Sequence, residues 1–272
     1  MGKPELPSGL YISVSQLKTH LACPRKFALK YILGVAPAFV PVPLAFGSAF
    51  HEALAAHYQE LKATGQALEE DLVLDVFRTA WERESSGPIP LQAGDDEDSD
   101  LGHIVDKGIS MLRVFCECVA ARETGLIVEA VEKPFQVEIH DPDTGEVLDE
   151  ALVGIIDLLA GNEDGYVVVE HKTSSRRYTR DQLDFDLQPT CYKLAARQMG
   201  FGDVGLRFQI CIKTKNPQVQ IAEIERAERD EDDLLRTVQG ILRAIEAGVS
   251  YPIRGWACQS CPFAYACTGA SS

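Results

Sequence analysis

The chain has 272 residues, of which 46% are hydrophobic, and a formal net charge of -15 at pH 7. This length can bury a substantial core without disulfide staples. No apolar run reaches membrane-spanning length, and the first residues lack the basic and then apolar order of a secretory signal, so we expect a cytoplasmic protein without membrane contact. In a reducing compartment, clustered cysteines predict metal ligands rather than disulfides.

The first part of the chain predicts helices. A helical pattern runs from Ser15, which we take as its N-cap, to about Leu33. It is broken at Cys23-Pro24, because proline is tolerated only in the first turn of a helix. Apolar residues at helical spacing predict three more helices, over 46–63, 69–84 and 101–123. The acidic stretch 85–100 contains glycine and prolines and predicts a loop.

The second part of the chain predicts a mixed sheet. β-Strand patterns cover 125–139, 151–160, 166–172, 204–212 and 218–225. Helical patterns cover 181–200 and 230–248, and a cysteine-rich tail follows. We therefore expect an α/β fold in one compact unit with three regions: an N-terminal helical region (1–125), a sheet core (126–250) and the tail (251–272).

One predicted hairpin carries a set of charged residues. If the turn "GNEDG" is symmetric, Asp157 lies opposite Glu170 with Cβ atoms about 5 Å apart. Lys172 shares that face, whereas His171 points the other way. Two carboxylates and an ammonium suit phosphodiester hydrolysis with Mg²⁺ or Mn²⁺. Taken alone, such a hairpin is more often a solvated sheet face.

The segment "VGIIDLLAGNEDGYVVVEHKTSS" resembles the core of the PD-(D/E)XK nuclease superfamily, in its RecB-like and Cas4-like iron–sulfur exonuclease branch. The resemblance extends to "FGSAFHEAL" and to "QPTCY". It implies a restriction-endonuclease-like core with a mixed sheet flanked by helices. It also implies a catalytic metal bound by His51, Asp157 and Glu170, and a catalytic set completed by Lys172, Gln188 and Tyr192.

Two features depart from the wider pattern of such enzymes. Ile156 stands where the motif has proline, which leaves the Asp157 ligand intact. The chain has no G-x4-G-K-[ST] loop, so it contains no helicase motor. We therefore expect either that a partner unwinds the DNA or that the substrate is already single-stranded or has an open end.

The tail contains three closely spaced thiols, Cys258, Cys261 and Cys267. C-x2-C-x5-C by itself suits either zinc or an iron–sulfur cluster. The resemblance implies that Cys23 is the fourth ligand and that a 4Fe-4S cluster joins the two ends of the chain. The remaining cysteines (116, 118, 191, 211) and histidines (20, 57, 103, 140, 171) are expected to be structural.

The sequence thus predicts a metal-dependent DNA nuclease, an exonuclease on single-stranded ends. The negative charge opposes DNA binding, but much of it lies in two acidic runs, 95–100 and 225–233. Basic residues cluster elsewhere, at Lys18, Arg25, Lys26 and Lys30, at Lys172, Arg176, Arg177 and Arg180, and at Lys193 and Arg197. Two alternatives are a DNA-holding accessory of a helicase or CRISPR integrase, and a zinc-stapled binding protein, which leaves the charged set unexplained.

Overall fold

The computed structural model describes residues 10–87, 101–120, 125–162 and 165–268. Most of the predicted 85–100 loop and the end of the helix predicted to 123 lie outside these ranges. In chain order the elements are β1 (Tyr11–Ser13), α1 (Val14–Ala22), α2 (Pro24–Phe27), a π-helical turn (Ala28–Ile32), α3 (Val42–Thr64), α4 (Glu70–Glu84), α5 (Leu101–Ala120), β2 (Ile127–His140), β3 (Val147–Asn162), β4 (Gly165–Ser174), α6 (Arg180–Asp184), α7 (Leu187–Gln198), β5 (Gly205–Ile212), β6 (Gln218–Ile224), α8 (Glu228–Glu246), a 3-10 turn (Trp256–Cys258) and α9 (Ala264–Thr268).

The strands form one mixed sheet in the order β1-β3-β4-β5-β6, with β2 also paired to β3. The β1/β3 and β4/β5 pairs are parallel, and the other pairs are antiparallel. Strand β3 has 16 residues, which lets it pair with β2 along one edge and with both β1 and β4 along the other. The predicted mixed sheet is confirmed, with β1 as an addition.

Helices cover both faces of the sheet. One core joins the sheet to α1, α7 and α8, and the other joins it to α3, α4 and α5. Neighbouring residues of β4 enter different cores, Val168 the first and Val169 the second, because strand side chains alternate. Glu170 therefore faces α7 and His171 faces α3. Among the described residues, none of the helices combines the length and the hydropathy that a membrane span requires.

Two predicted helix boundaries are wrong for local reasons. Helix α1 begins after Ser13 rather than after Ser15, because Ser13 and Gln16 form a capping box. The helix predicted over 181–200 is two helices, α6 and α7. The Asp186 side chain accepts a hydrogen bond from the backbone N–H of Gln188 at 2.9 Å and caps α7, which starts a new helix at this point.

The C-terminal tail packs against the N-terminal helices. The backbone N–H of Arg25 donates to the carbonyl of Tyr251 at 3.0 Å, and that of Ala38 donates to the carbonyl of Pro262 at 2.9 Å. The Tyr265 hydroxyl donates to the carbonyl of Ala36 at 2.7 Å. The described part of the tail therefore contacts the N-terminal helical region, as the family resemblance implied.

Candidate active site

A cleft of about 580 Å³ opens beside α1, α3, β3 and β4. All six side chains that the sequence placed in the catalytic site line it: His51, Asp157, Glu170, Lys172, Gln188 and Tyr192. They come from α3, β3, β4 and α7, so only the tertiary structure brings them together. Ser13, Ser15 and Lys18 also line the cleft, which the sequence did not predict.

The β3–β4 hairpin has the predicted register. Its pairs run from Asn162↔Gly165 to Leu158↔Val169, and the next residues in line are Asp157 and Glu170. The Asp157 carboxylate also accepts a hydrogen bond from the backbone N–H of His171 at 2.9 Å. The Lys172 ammonium pairs with Glu170 on the α7 face of the sheet.

Two side chains of α7 hold the Glu170 carboxylate. The Gln188 amide nitrogen donates to Oε1 of Glu170 at 2.7 Å, and the Tyr192 hydroxyl donates to Oε2 at 2.8 Å. The Gln188 amide oxygen accepts a hydrogen bond from Nζ of Lys172 at 2.9 Å. Glu170, Lys172 and Gln188 thus form a closed network that fixes the orientation of each.

Glu132 on β2 is a third carboxylate at the site, and the sequence reasoning missed it. Its neighbours pair as Val131↔Leu158 and Lys133↔Ile156, so Glu132 lies opposite Asp157. Ligand atoms of His51, Glu132 and Asp157 lie within 4.8 Å of one another. Adjacent strands therefore carry Glu132, Asp157 and Glu170 side by side.

A β-bulge decides this alignment. His140 pairs with Val147, but Glu138 pairs with Ala151, so the register shifts by two residues near the β2–β3 turn. Without that shift Glu132 would lie opposite Ile155. Glu132 also has φ 47°, in the left-handed region that residues other than glycine rarely adopt. The only signal in the sequence was a carboxylate within the strand next to that of Asp157.

The electrostatics of the site reflect an excess of buried carboxylates. Burial opposes the charged form of His51, but Asp157, with its Oδ2 3.5 Å from Nδ1 of His51, raises the pKa of His51 to about 9. His51 in turn outweighs burial and lowers the pKa of Asp157. Burial and repulsion by Asp157 raise the pKa of Glu132 to about 7 and also raise that of Glu170. Burial opposes the charge of Lys172, but the partner Glu170 raises the pKa of Lys172.

This group fits a divalent cation. Carboxylate oxygens are the ligands that Mg²⁺ and Mn²⁺ prefer, and an imidazole also suits Mn²⁺. The raised pKa values of His51, Glu132 and Glu170 reflect the negative charge concentrated at the site, which a bound cation would offset. His51, Glu132 and Asp157 could hold the ion, with Glu170 beside them.

The four cysteines implied as cluster ligands do not form a compact ligand group: among the described residues, only His51, Glu132 and Asp157 bring three ligand atoms within 4.8 Å of one another. Cys23, Cys258, Cys261 and Cys267 are all partly exposed free thiols. The backbone N–H groups of Lys26 and Ile253 donate to the Cys23 sulfur at 3.4 and 3.5 Å, and the Cys258 thiol donates to the Ile253 carbonyl at 3.8 Å. Thiolates are the ligands that structural zinc and iron–sulfur clusters use, so the chemistry of these four side chains suits either group.

Three residues that the sequence set aside as structural, His171, Cys191 and Cys211, lie in packing positions. His171 stacks on Tyr58, with ring centroids 5.4 Å apart. Within the part of the chain that the structure describes, neither ring nitrogen of His171 has a hydrogen-bond partner, and burial lowers the pKa of His171 to about 4. Cys191 and Cys211 are buried in the two cores, whereas Cys118 is exposed.

The mixed sheet, the adjacent carboxylates and the lysine two residues beyond Glu170 have the chemistry of a metal-dependent phosphodiester hydrolase. The family profile of the PD-(D/E)XK nuclease superfamily matches residues 11–268, and the chain belongs to this superfamily.

One solved structure has a similar fold. A crystal structure from Eubacterium rectale, of a protein named "Putative exonuclease", superposes with a TM-score of 0.52 and 15% sequence identity, covering 96% of this chain and 88% of that one. A second crystal structure, of the protein SSO0001, has a TM-score of 0.36 and 14% identity, covering 92% of this chain and 96% of that one. No protein with a curated description is significantly similar in sequence.

Proposed function

We propose that this protein is a deoxyribonuclease that removes nucleotides from single-stranded DNA ends with Mg²⁺ or Mn²⁺. The observation that carries the proposal is the convergence of Asp157, Glu170 and Lys172 in an open cleft, with His51 and Glu132 within ion-binding reach of Asp157. We assign His51, Asp157, Glu170 and the newly found Glu132 as metal ligands.

The other side chains have roles that follow from their contacts. A bound divalent ion would polarise the scissile phosphate and lower the pKa of the attacking water. Lys172, held by Glu170 and Gln188, orients that water or neutralises developing negative charge. Gln188 and Tyr192 keep the Glu170 carboxylate oriented, as partners of metal ligands do.

The preference for a single strand is supported by an aromatic side chain near the cleft. Phe185 is 80% exposed and directly precedes Asp186, the N-cap of the helix that carries Gln188. An unpaired base can stack on such a ring regardless of its identity. The "Putative exonuclease" name of the structural neighbour agrees with attack at ends.

The test uses end-labelled single-stranded DNA with Mg²⁺, Mn²⁺ or chelator. We expect progressive shortening that requires the metal and is lost in Asp157→Asn. Glu129→Gln, an exposed acid on the same strand as Glu132, should cut like the parent. Metal-dependent cutting by Asp157→Asn would refute the catalytic assignment. A circular single strand has no free end, so if it stays uncut the activity is that of an exonuclease rather than an endonuclease.

We further propose that Cys23, Cys258, Cys261 and Cys267 bind a 4Fe-4S cluster. The support is the contact of the tail with the N-terminal helical region and the thiolate chemistry of the four side chains. Zinc would use the same thiols. Protein purified without oxygen should be brown, with roughly four iron and four sulfide per chain. A colourless preparation with one tightly bound zinc would contradict the cluster.

A second candidate keeps the fold but makes the protein a DNA-holding subunit beside a helicase or CRISPR integrase. Exposed apolar side chains on the tail favour a protein partner: Tyr251, Ile253 and Trp256 are 57%, 46% and 85% exposed. A parent protein that binds single-stranded DNA but does not shorten it in either metal would favour this candidate.

A further inference from the structure

Helix α1 brings a second lysine to the cleft. Strand β1 pairs in parallel with β3, and the capping box of Ser13 starts α1 at that edge of the sheet. Val14 and Leu17 are buried in the core, and Lys18 lies one turn after Val14 at the border of this buried face. The Lys18 side chain is 38% exposed and lines the cleft.

The ammonium groups of Lys18 and Lys172 meet at one oxygen. Nζ of Lys18 lies 2.6 Å from the Gln188 amide oxygen, and Nζ of Lys172 lies 2.9 Å from the same atom. The two ammonium groups are therefore no more than 5.5 Å apart, the sum of these distances. Asp186 also pairs with Lys18, at 2.8 Å.

Like charges at this separation repel each other, and a neighbouring anion offsets that repulsion by attracting both. Here the pair is balanced by Glu170 and Asp186, which each bind one lysine. An ammonium has three N–H donors, and each lysine contacts two side chains among the described residues. Lys172 therefore retains one N–H donor for a phosphate oxygen. The three donors of Lys18 face the Gln188 oxygen and both Asp186 oxygens, at 2.8 and 3.1 Å, so a phosphate oxygen would replace one of the Asp186 oxygens.

We propose that Lys18 binds a non-bridging phosphate oxygen of the substrate strand and forms, with Lys172, a two-lysine wall of the cleft. Lys172 is held by Glu170 at the proposed metal site, whereas Lys18 approaches from α1. Two cations on one side of a phosphate balance the charge that develops in phosphoryl transfer. This inference rests on the proposed function, because it names the group that the cleft recognises.

The test compares Lys18→Met with Lys18→Arg, Asp186→Asn and Lys62→Met. Affinity for a single-stranded oligonucleotide is measured in chelator over a range of salt concentrations, and kcat is measured with Mn²⁺. Lys18→Met should reduce the slope of log affinity against log salt by about 0.7, the value for one phosphate contact on single strands. It should lower kcat by about 10- to 100-fold, and Lys18→Arg should retain the slope.

The two controls separate phosphate binding from a structural role. Asp186→Asn removes the ion pair of Lys18 but keeps a helix-capping side chain, and it should leave the salt slope unchanged. Lys62 lies near the C-terminal end of α3 and donates to the backbone carbonyl of Glu129 on β2. Lys62→Met should therefore behave like the parent. The proposal would be overturned if Lys18→Met had the same salt slope as the parent protein. It would also be overturned if Asp186→Asn lowered kcat as much as Lys18→Met does.

The outcomes also separate this inference from the proposed function. A parent that binds DNA without cutting refutes the nuclease, yet the salt slopes still decide whether Lys18 contacts phosphate. A parent that cuts while Lys18→Met keeps the parental slope and kcat refutes only the role of Lys18. A parent that neither binds nor cuts refutes both.

Discussion

Replacing Glu132 by glutamine should make the metal-free protein more stable and its metal binding weaker. Burial and repulsion by Asp157 raise the pKa of Glu132 from 4.5 to about 7. The folded protein therefore holds this proton more tightly than the unfolded chain, and its stability falls as pH rises from about 4.5 to 7. Glutamine has the same shape and no charge, so the variant should escape this loss.

The size of the effect follows from the pKa. The full rise corresponds to about 3 kcal/mol of free energy of unfolding above pH 7. Because the Glu132 side chain is only half-buried, solvent screens part of this electrostatic free energy. We therefore expect Glu132→Gln to raise the free energy of unfolding by about 1–2 kcal/mol. In a chain of this size, that is a rise in Tm of roughly 4 °C. Below pH 4.5 the difference should vanish, because Glu132 is then protonated in both states.

The assay is thermal unfolding of parent, Glu132→Gln and Glu129→Gln in chelator from pH 4.5 to 8, repeated with Mn²⁺. Glu129 is exposed on the same strand, so Glu129→Gln should stay within about 0.5 kcal/mol of the parent. Mn²⁺ should raise the Tm of the parent more than that of Glu132→Gln, because bound ligand stabilises only the folded state. Equal melting of parent and Glu132→Gln at pH 8 in chelator would refute the electrostatic argument, and equal Mn²⁺ shifts would remove Glu132 from the ligand set.

Three further predictions concern the two proposed metal sites and the DNA surface. His51 has a pKa of about 9 and must lose its proton to bind metal. The Mn²⁺ affinity, measured by calorimetry, should therefore rise up to tenfold per pH unit between pH 7 and 9. An affinity that does not change with pH would exclude His51 from the metal ligands. Cys23→Ala should lose its colour, melt lower and lose activity as a consequence, whereas a brown and stable variant would refute the cross-link. The loops after the parallel strands β4 and β5 leave the sheet at the same end and carry three exposed basic residues, Arg176, Arg177 and Lys215. Replacing all three by alanine should reduce the slope of log affinity against log salt for single-stranded DNA by about 2. An unchanged slope would show that these residues do not contact phosphates. Arg180→Ala is the matched control, because its guanidinium already pairs with Asp184 at 2.8 Å.

The local sequence determined the parts of the site that lie close together along the chain. The short β3–β4 turn sets the register of its hairpin, so the alternation of strand side chains was enough to place Asp157, Glu170 and Lys172 on one face. Helical spacing likewise placed Gln188 and Tyr192 on one side of α7. The family resemblance added His51, which no local pattern distinguishes from a structural histidine.

Only the tertiary structure decided which residues from distant parts of the chain, such as Glu132 and Lys18, contact the site. Glu132 reaches Asp157 because a bulge shifts β2 by two residues, and such a shift depends on how the strand packs rather than on its own pattern. Lys18 reaches Gln188 because the three-residue strand β1 attaches to β3 and aims α1 at the cleft. A strand that short has too few residues for an alternating pattern, so its position depends on contacts with residues far along the chain.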